Sequence, residues 1–261
     1  EILSGWRLRN SNKPARIPEK HSETAFMTNR AMEFIDDSKN KPWFLHLSYI
    51  KPHWPYMAPA PYHNMFSSNQ FYPVHRSDSE KKINHPVYKA FMENSISKTF
   101  SRDEVRDTVL SGYMGLIKQI DDNLGKLFKF LEDKKKMEDT MIVFTSDHGD
   151  YHGDHWLGEK ELFHEQIVRV PMIIYDPTLS ADKNRGVKEQ RFIEAIDLLP
   201  TFLDAVESKA SKHRLEGQSL IPIIRGEKID KWKDSVFSET DYSFNEARKI
   251  LNLEASDARA F

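Results

Sequence analysis

Thr140-Met-Ile-Val-Phe-Thr-Ser-Asp-His-Gly-Asp-Tyr-His-Gly-Asp-His155 is the stretch whose reading decides the fold. Its first six residues are apolar and rich in strand formers, the composition of a buried strand in a parallel sheet. The run then breaks into three Asp and three His within nine residues. In open α/β sheets, ligand sites gather beyond the C-terminal ends of strands. Carboxylate oxygens and imidazole nitrogens are also the donors that divalent cations take. Gly149 and Gly153 let the backbone turn, so several of these side chains could converge. A polar surface loop that happens to be rich in histidine would read the same way.

Working outward toward the C-terminus, Gly158-Glu-Lys160 follows. Lys160 reads either as an ion-pair partner among many acids or as a point charge for an anionic oxygen. Arg169-Val-Pro-Met-Ile-Ile-Tyr175 reads as a second strand. Glu194 to Val206 reads as a helix whose first turn accommodates Pro200, and Ser235-Val-Phe-Ser238 as a third short strand.

Toward the N-terminus, residues 103–134 repeat apolar positions at helical spacing: Val105, Val109, Tyr113, Leu116, Ile117, Ile120, Leu124, Leu127, Phe128 and Leu131. Lys118, Asp121, Lys126 and Lys129 lie opposite, so a long helix with one solvated face is expected. Residues 57–100 read as a loop-rich excursion with one or two short helices. Trp43-Phe-Leu-His-Leu-Ser-Tyr-Ile50 has the look of another buried parallel strand, with His46 as a structural residue. It runs into Lys51-Pro-His-Trp-Pro-Tyr56, where two prolines hold His53 in a rigid loop. That histidine reads either as a presented imidazole or as a ring packed on Trp54 and Tyr56. Ser22 is a candidate N-cap for a helix over 22–38. Strands alternating with helices predict an α/β fold with a mainly parallel sheet.

Composition bounds the function. The 261 residues include 38 Lys plus Arg and 40 Asp plus Glu, a net charge of −2 that argues against a nucleic-acid binder working through bulk basic charge. Absence of cysteine excludes disulfides, thiolate metal sites and a Cys nucleophile within the chain. No apolar run approaches the roughly 20 residues of a membrane span. No serine stands in a Gly-x-Ser-x-Gly elbow.

Several of these motifs, in this order, resemble the sulfatase branch of the alkaline phosphatase superfamily, nearest its phosphonate monoester hydrolase and arylsulfatase subgroup. They are Trp43 to Tyr56, the helix with Tyr113 and Ile120-Asp-Asp122, Phe144-Thr-Ser-Asp-His-Gly149 with Gly153-Asp-His155 and Lys160, Arg169 to Ile174, Asp197-Leu-Leu-Pro-Thr201, and Gly217-Gln-Ser-Leu220. The resemblance implies an alkaline-phosphatase-like core and a hydrolase of sulfate monoesters or phosphate/phosphonate esters. It implies one divalent metal ion (Mn²⁺, Ca²⁺ or Mg²⁺) with Asp147 and His148 among its ligands. It gives His53 and Lys160 to the substrate anion, His53 also protonating the leaving oxygen.

The family's Cys-or-Ser-x-Pro-x-Arg nucleophile motif, whose Cys becomes formylglycine, and the strand with paired aspartates before it do not match this chain. Asn12-Lys-Pro-Ala-Arg16 has the spacing but places Asn where the nucleophile belongs. The expectation is therefore a partial sulfatase-like domain over 1–261, with 230–261 opening the C-terminal region and formylglycine confined to a missing segment. Such a chain is expected to be inactive or nearly so alone. The partners expected are a small anionic ester and a second copy of the chain, with no nucleic acid or membrane, and the location expected is the cytoplasm. The competing readings are a metal-dependent phosphodiesterase or mutase of the same superfamily, and a non-catalytic anion- or partner-binding domain.

Overall fold

Ser22 opens the first helix, α1 (Glu23–Asp37), by accepting a hydrogen bond from the Ala25 amide at 3.2 Å. The computed structural model describes residues 8, 11–241 and 245–258. By internal contacts the chain divides into two units. One comprises 1–134, 147–170 and 241–261, and the other 135–146 and 171–240.

The first unit is built on α4 (Asp103–Asp133), which follows α2 (Pro86–Glu93) and α3 (Ser95–Phe100). Val109, Leu116, Ile120, Leu127 and Leu131 of the expected stripe are buried. Ile117 is not, and the polar Gln119 and Asn123 are. The Gln119 Nε2 donates to Ser22 Oγ at 2.7 Å, and Asn123 Nδ2 to Glu19 Oε1 at 3.0 Å. These bonds satisfy the buried amides and rotate the stripe toward α1. Gly112 and Gly115 admit the backbone of the preceding loop. A Cβ at either would lie 2.5 Å from the Tyr56 carbonyl oxygen or 2.4 Å from that of Tyr62. The helix thereby seats the segment that carries His53. Residues 57–100 hold three short 3-10 turns besides α2 and α3. Val87, Tyr88 and Phe91 of α2 pack on Tyr151, Leu157, Leu162 and Ile167, which anchors the histidine-rich loop.

The second unit contains β1 (Ile142–Thr145) and β2 (Met172–Tyr175), paired with Ile142 opposite Tyr175 and Thr145 opposite Met172. This pairing is antiparallel, where the sequence led us to expect a mainly parallel sheet. An apolar run of β-branched residues suits either direction, so composition does not encode it. β1 is also less covered than expected, because each strand has one neighbour among the described residues.

The expected strands at 43–50 and 235–238 have no ladder partner among the described residues. Residues 43–50 still show the period of two, half-buried alternating with exposed, and His46 faces outward rather than into a core. Phe237 is exposed, so 235–238 lacks the packing that selects a strand.

A 3-10 turn (Ala195–Asp197) leads into α5 (Leu198–Ala205), with Pro200 in the first turn. Asp197 is wholly buried and accepts from the amides of Glu194 and Gln218 at 2.8 Å each and from the Lys233 ammonium at 2.9 Å. Thr201 Oγ1 accepts from the Leu220 amide at 2.8 Å. The motifs Asp197–Thr201 and Gly217–Leu220 thus hold each other in place.

Candidate functional site

Lys51, His53 and Tyr56 give the proline-bounded loop its shape. The Lys51 ammonium donates to the carbonyls of His53 and Pro55 at 3.2 and 3.1 Å, and its burial lowers its pKa. Tyr56 is buried, and its hydroxyl donates to Asp150 Oδ2 at 2.5 Å. This bond ties the loop to the histidine-rich segment 94 positions later.

His53 sits between these anchors. Its Nδ1 is 3.1 Å from the Trp54 carbonyl, and a carbonyl only accepts, so Nδ1 carries the proton. The Nε2 lone pair then receives the Lys160 ammonium at 3.0 Å. With its proton on Nδ1, the ring presents Nε2 to the ammonium. Lys160 rides on a bend in which Glu159 adopts a left-handed conformation (φ 61°), held by the Tyr151 amide donating to the Glu159 carbonyl at 2.9 Å. Among the described residues Lys160 makes no ion pair. Between the two readings open for it, the geometry puts its charge beside an imidazole rather than a carboxylate.

Asp147 and His148 stand next to this pair. The His148 ring meets that of His53 edge-on, with centroids 6.1 Å apart. The His148 Nδ1 is 2.7 Å from the Gly149 carbonyl, which fixes the proton on Nδ1 and leaves the lone pair on Nε2. That Nε2 lies 3.7 Å from Asp147 Oδ2, and the His148 amide donates to Asp147 Oδ1 at 3.0 Å. Gly149 presses the turn onto its neighbour. Its amide donates to the Ile167 carbonyl at 2.9 Å, and a Cβ would lie 1.8 Å from the Gln166 carbonyl oxygen.

The rest of the dense Asp/His group does not converge on that point. Asp150 serves Tyr56 and lies 3.4 Å from His152 Nε2. His152 is buried against Tyr113, Tyr56 and Phe100, and desolvation lowers its pKa. Asp154 accepts the His75 amide at 2.9 Å. His155 engages Glu80 at 2.6 Å and Gln166 at 3.1 Å and stacks on His164 at 4.1 Å. Spacing in sequence could not separate these structural roles from those of Asp147 and His148. Nor did it single out Glu159, whose carboxyl is pushed up to about 7 by burial and then by Glu161 and Asp150. An acid among many acids carries no signal of its own.

Asp147 and His148 offer two donors of the kind a divalent cation takes, one carboxylate oxygen and one imidazole nitrogen. Among the described residues no group of three or more His, Asp or Glu could hold a metal ion. The donor set is thus of the right chemistry and incomplete by itself. No described helix is long and apolar enough to cross a membrane.

An imidazole, an ammonium and two metal-type donors thus stand beside one proline-bounded loop. Residues 4–208 match the sulfatase family model, and the chain belongs to that family. It is 32% identical to a multifunctional alkaline phosphatase superfamily protein of Trinickia caryophylli, over 95% of this chain and 50% of that protein. An arylsulfatase of Clostridium perfringens is 28% identical over 90% of the chain and 48% of its own length. Phosphonate monoester hydrolases from Silicibacter pomeroyi and Agrobacterium radiobacter superpose with TM-scores of 0.79 and 0.81, at 29% and 26% identity. Each superposition covers 94% of this chain, and 50% or 51% of the solved one. The fold is therefore the alkaline-phosphatase-like α/β fold of the sulfatases, and the chain spans about half the length of the relatives it matches.

Proposed function

We propose that this chain carries the anion-holding part and two metal donors of a hydrolase of sulfate or phosphonate monoesters. The observation that carries this reading is the 3.0 Å contact between Lys160 Nζ and His53 Nε2, with the His148 ring beside them. An ammonium resting on an imidazole nitrogen can swing to an arriving oxyanion. His53 is then placed to hold a proton at Nε2 for the oxygen that leaves. Asp147 and His148 would hold a divalent cation, whose charge polarises the ester oxygens. Among the described residues no Ser or Thr hydroxyl bonds to a ring nitrogen of His53, so the group holds no alcohol activated by that base. The chain alone is accordingly read as a binder with little or no turnover.

Titration calorimetry with inorganic phosphate tests this reading. Lys160→Met should weaken phosphate binding at least roughly tenfold, the loss expected for a charged hydrogen bond. Asp147→Asn should weaken Mn²⁺ binding, followed by the spectrum of the free ion. Phosphate affinity indifferent to both Lys160→Met and His53→Ala would overturn the assignment.

A further inference from the structure

His53 and Lys160 come from segments 107 positions apart, so their 3.0 Å contact depends on whatever fixes the two segments to each other. On one side, His53 is carried by the proline-bounded loop. The Lys51 ammonium donates to the carbonyls of His53 and Pro55, which braces the run from His53 to Tyr56. The Tyr56 carbonyl is pressed against α4, where a Cβ at Gly112 would lie 2.5 Å from its oxygen.

On the other side, Lys160 stands at the neck of a closed loop. The Tyr151 amide donates to the Glu159 carbonyl and the Gly153 amide to the Leu157 carbonyl, both at 2.9 Å. Gly153 permits the reversal with φ at 96°. Asp150 precedes the first of these bonds and Lys160 follows it, so the two residues flank one neck.

The bond from Tyr56 to Asp150 joins the two sides. The Tyr56 hydroxyl donates to Asp150 Oδ2 at 2.5 Å. Burial, and then the Asp150 charge, raises its pKa, so the hydroxyl keeps the proton it donates. Asp150 Oδ1 accepts from the His152 amide at 3.2 Å, and the His152 ring packs on Tyr56 with centroids 5.3 Å apart. Tyr56, Tyr151 and His152 are buried, so water competes little for these bonds. The contacts close a circuit. It runs along the chain from His53 to Tyr56, through the hydroxyl to Asp150, through the Tyr151 amide to Glu159, and from Lys160 back to His53.

We propose that Tyr56 and Asp150 are positioning residues that set the separation of His53 and Lys160, and with it the grip of that pair on an oxyanion. The proposal rests on the reading of His53 and Lys160 as the anion-holding pair. Asp150 acts through Tyr56 and the neck of the Lys160 loop rather than on the anion itself. Its negative charge alone would oppose an anion nearby, so its roles as acceptor and as charge have opposite signs.

The test measures phosphate binding to the full chain by calorimetry, with urea unfolding of each sample. Tyr56→Phe keeps the ring and removes the donor, and phosphate affinity should fall roughly fivefold or more. Asp150→Asn keeps an oxygen for the Tyr56 hydroxyl and should bind phosphate at least as tightly as wild type. Asp150→Val should bind as weakly as Tyr56→Phe. Tighter binding in both Asp150 variants would show that the residue acts as a charge alone and overturn the proposal. Unchanged affinity in Tyr56→Phe, with Lys160→Met still weakening phosphate, would also overturn it and leave the anion pair standing. Phosphate indifferent to Lys160→Met would instead remove the anion reading, and a ligand-free measurement then decides the positioning role. The nitrogen-15 resonance of His53 Nε2 reports the ammonium beside it, with Lys160→Met as the reference for its loss. Tyr56→Phe should move that resonance toward the Lys160→Met value. A resonance unmoved from wild type, even with stability lowered, refutes the positioning role.

Discussion

Gly149→Ala probes the contact that positions Asp147 and His148. The added methyl would sit 1.8 Å from the Gln166 carbonyl oxygen, a backbone atom that cannot rotate away. One of the two segments must give way by about 1.6 Å to restore ordinary contact. That displacement breaks the 2.9 Å bond from the Gly149 amide to the Ile167 carbonyl, worth about 1 kcal/mol. Overpacking at a backbone contact adds about 1–3 kcal/mol. We therefore expect a loss of about 2–4 kcal/mol in urea unfolding. The larger effect should be on the site, where a misplacement of about 1 Å costs on the order of a hundredfold in function. The assay pairs urea unfolding with calorimetric Mn²⁺ and phosphate titrations of the same sample. Wild-type stability with unchanged Mn²⁺ affinity would show that the turn at 149 does not hold the donors, and the reasoning would fall.

Two further outcomes follow from buried charge. Asp197→Ala should destabilise the second unit by about 3–5 kcal/mol, since it strands the Lys233 ammonium and two amides that the carboxylate satisfies. Urea unfolding followed by Trp232 fluorescence would read this, and a loss below 1 kcal/mol would refute it. Glu159, raised to about 7, favours the fold while protonated. The unfolded chain releases that proton near pH 4.5 and the native chain only near 7. Stability therefore declines as pH rises through this window. Glu159→Gln should flatten the decline between pH 5 and 8, and an unchanged slope would assign it to other groups.

The helices were legible in the residues because their signals are local. Ser22 and the stripe from Val109 to Leu131 fix α1 and α4 almost to the residue. The strands were not, because pairing is a long-range property. Residues 43–50 keep the strand period yet have no ladder partner among the described residues, and nothing in Ile142–Thr145 specifies an antiparallel neighbour. At the site, motif order brought His53, Asp147, His148 and Lys160 to notice together, and these four do lie in one chain of contacts. The remaining His and Asp of the 147–155 segment look identical in sequence. Only packing assigns Asp150 to Tyr56 and His155 to Glu80.

The Ser22 hydroxyl accepts from both the Ala25 amide and the Gln119 side chain, so one oxygen joins two helix segments 97 positions apart. The start of α1 and the middle of α4 cannot then fray independently. Opening either strands a buried polar group on the other, and amides in both should exchange with solvent through one shared event rather than two.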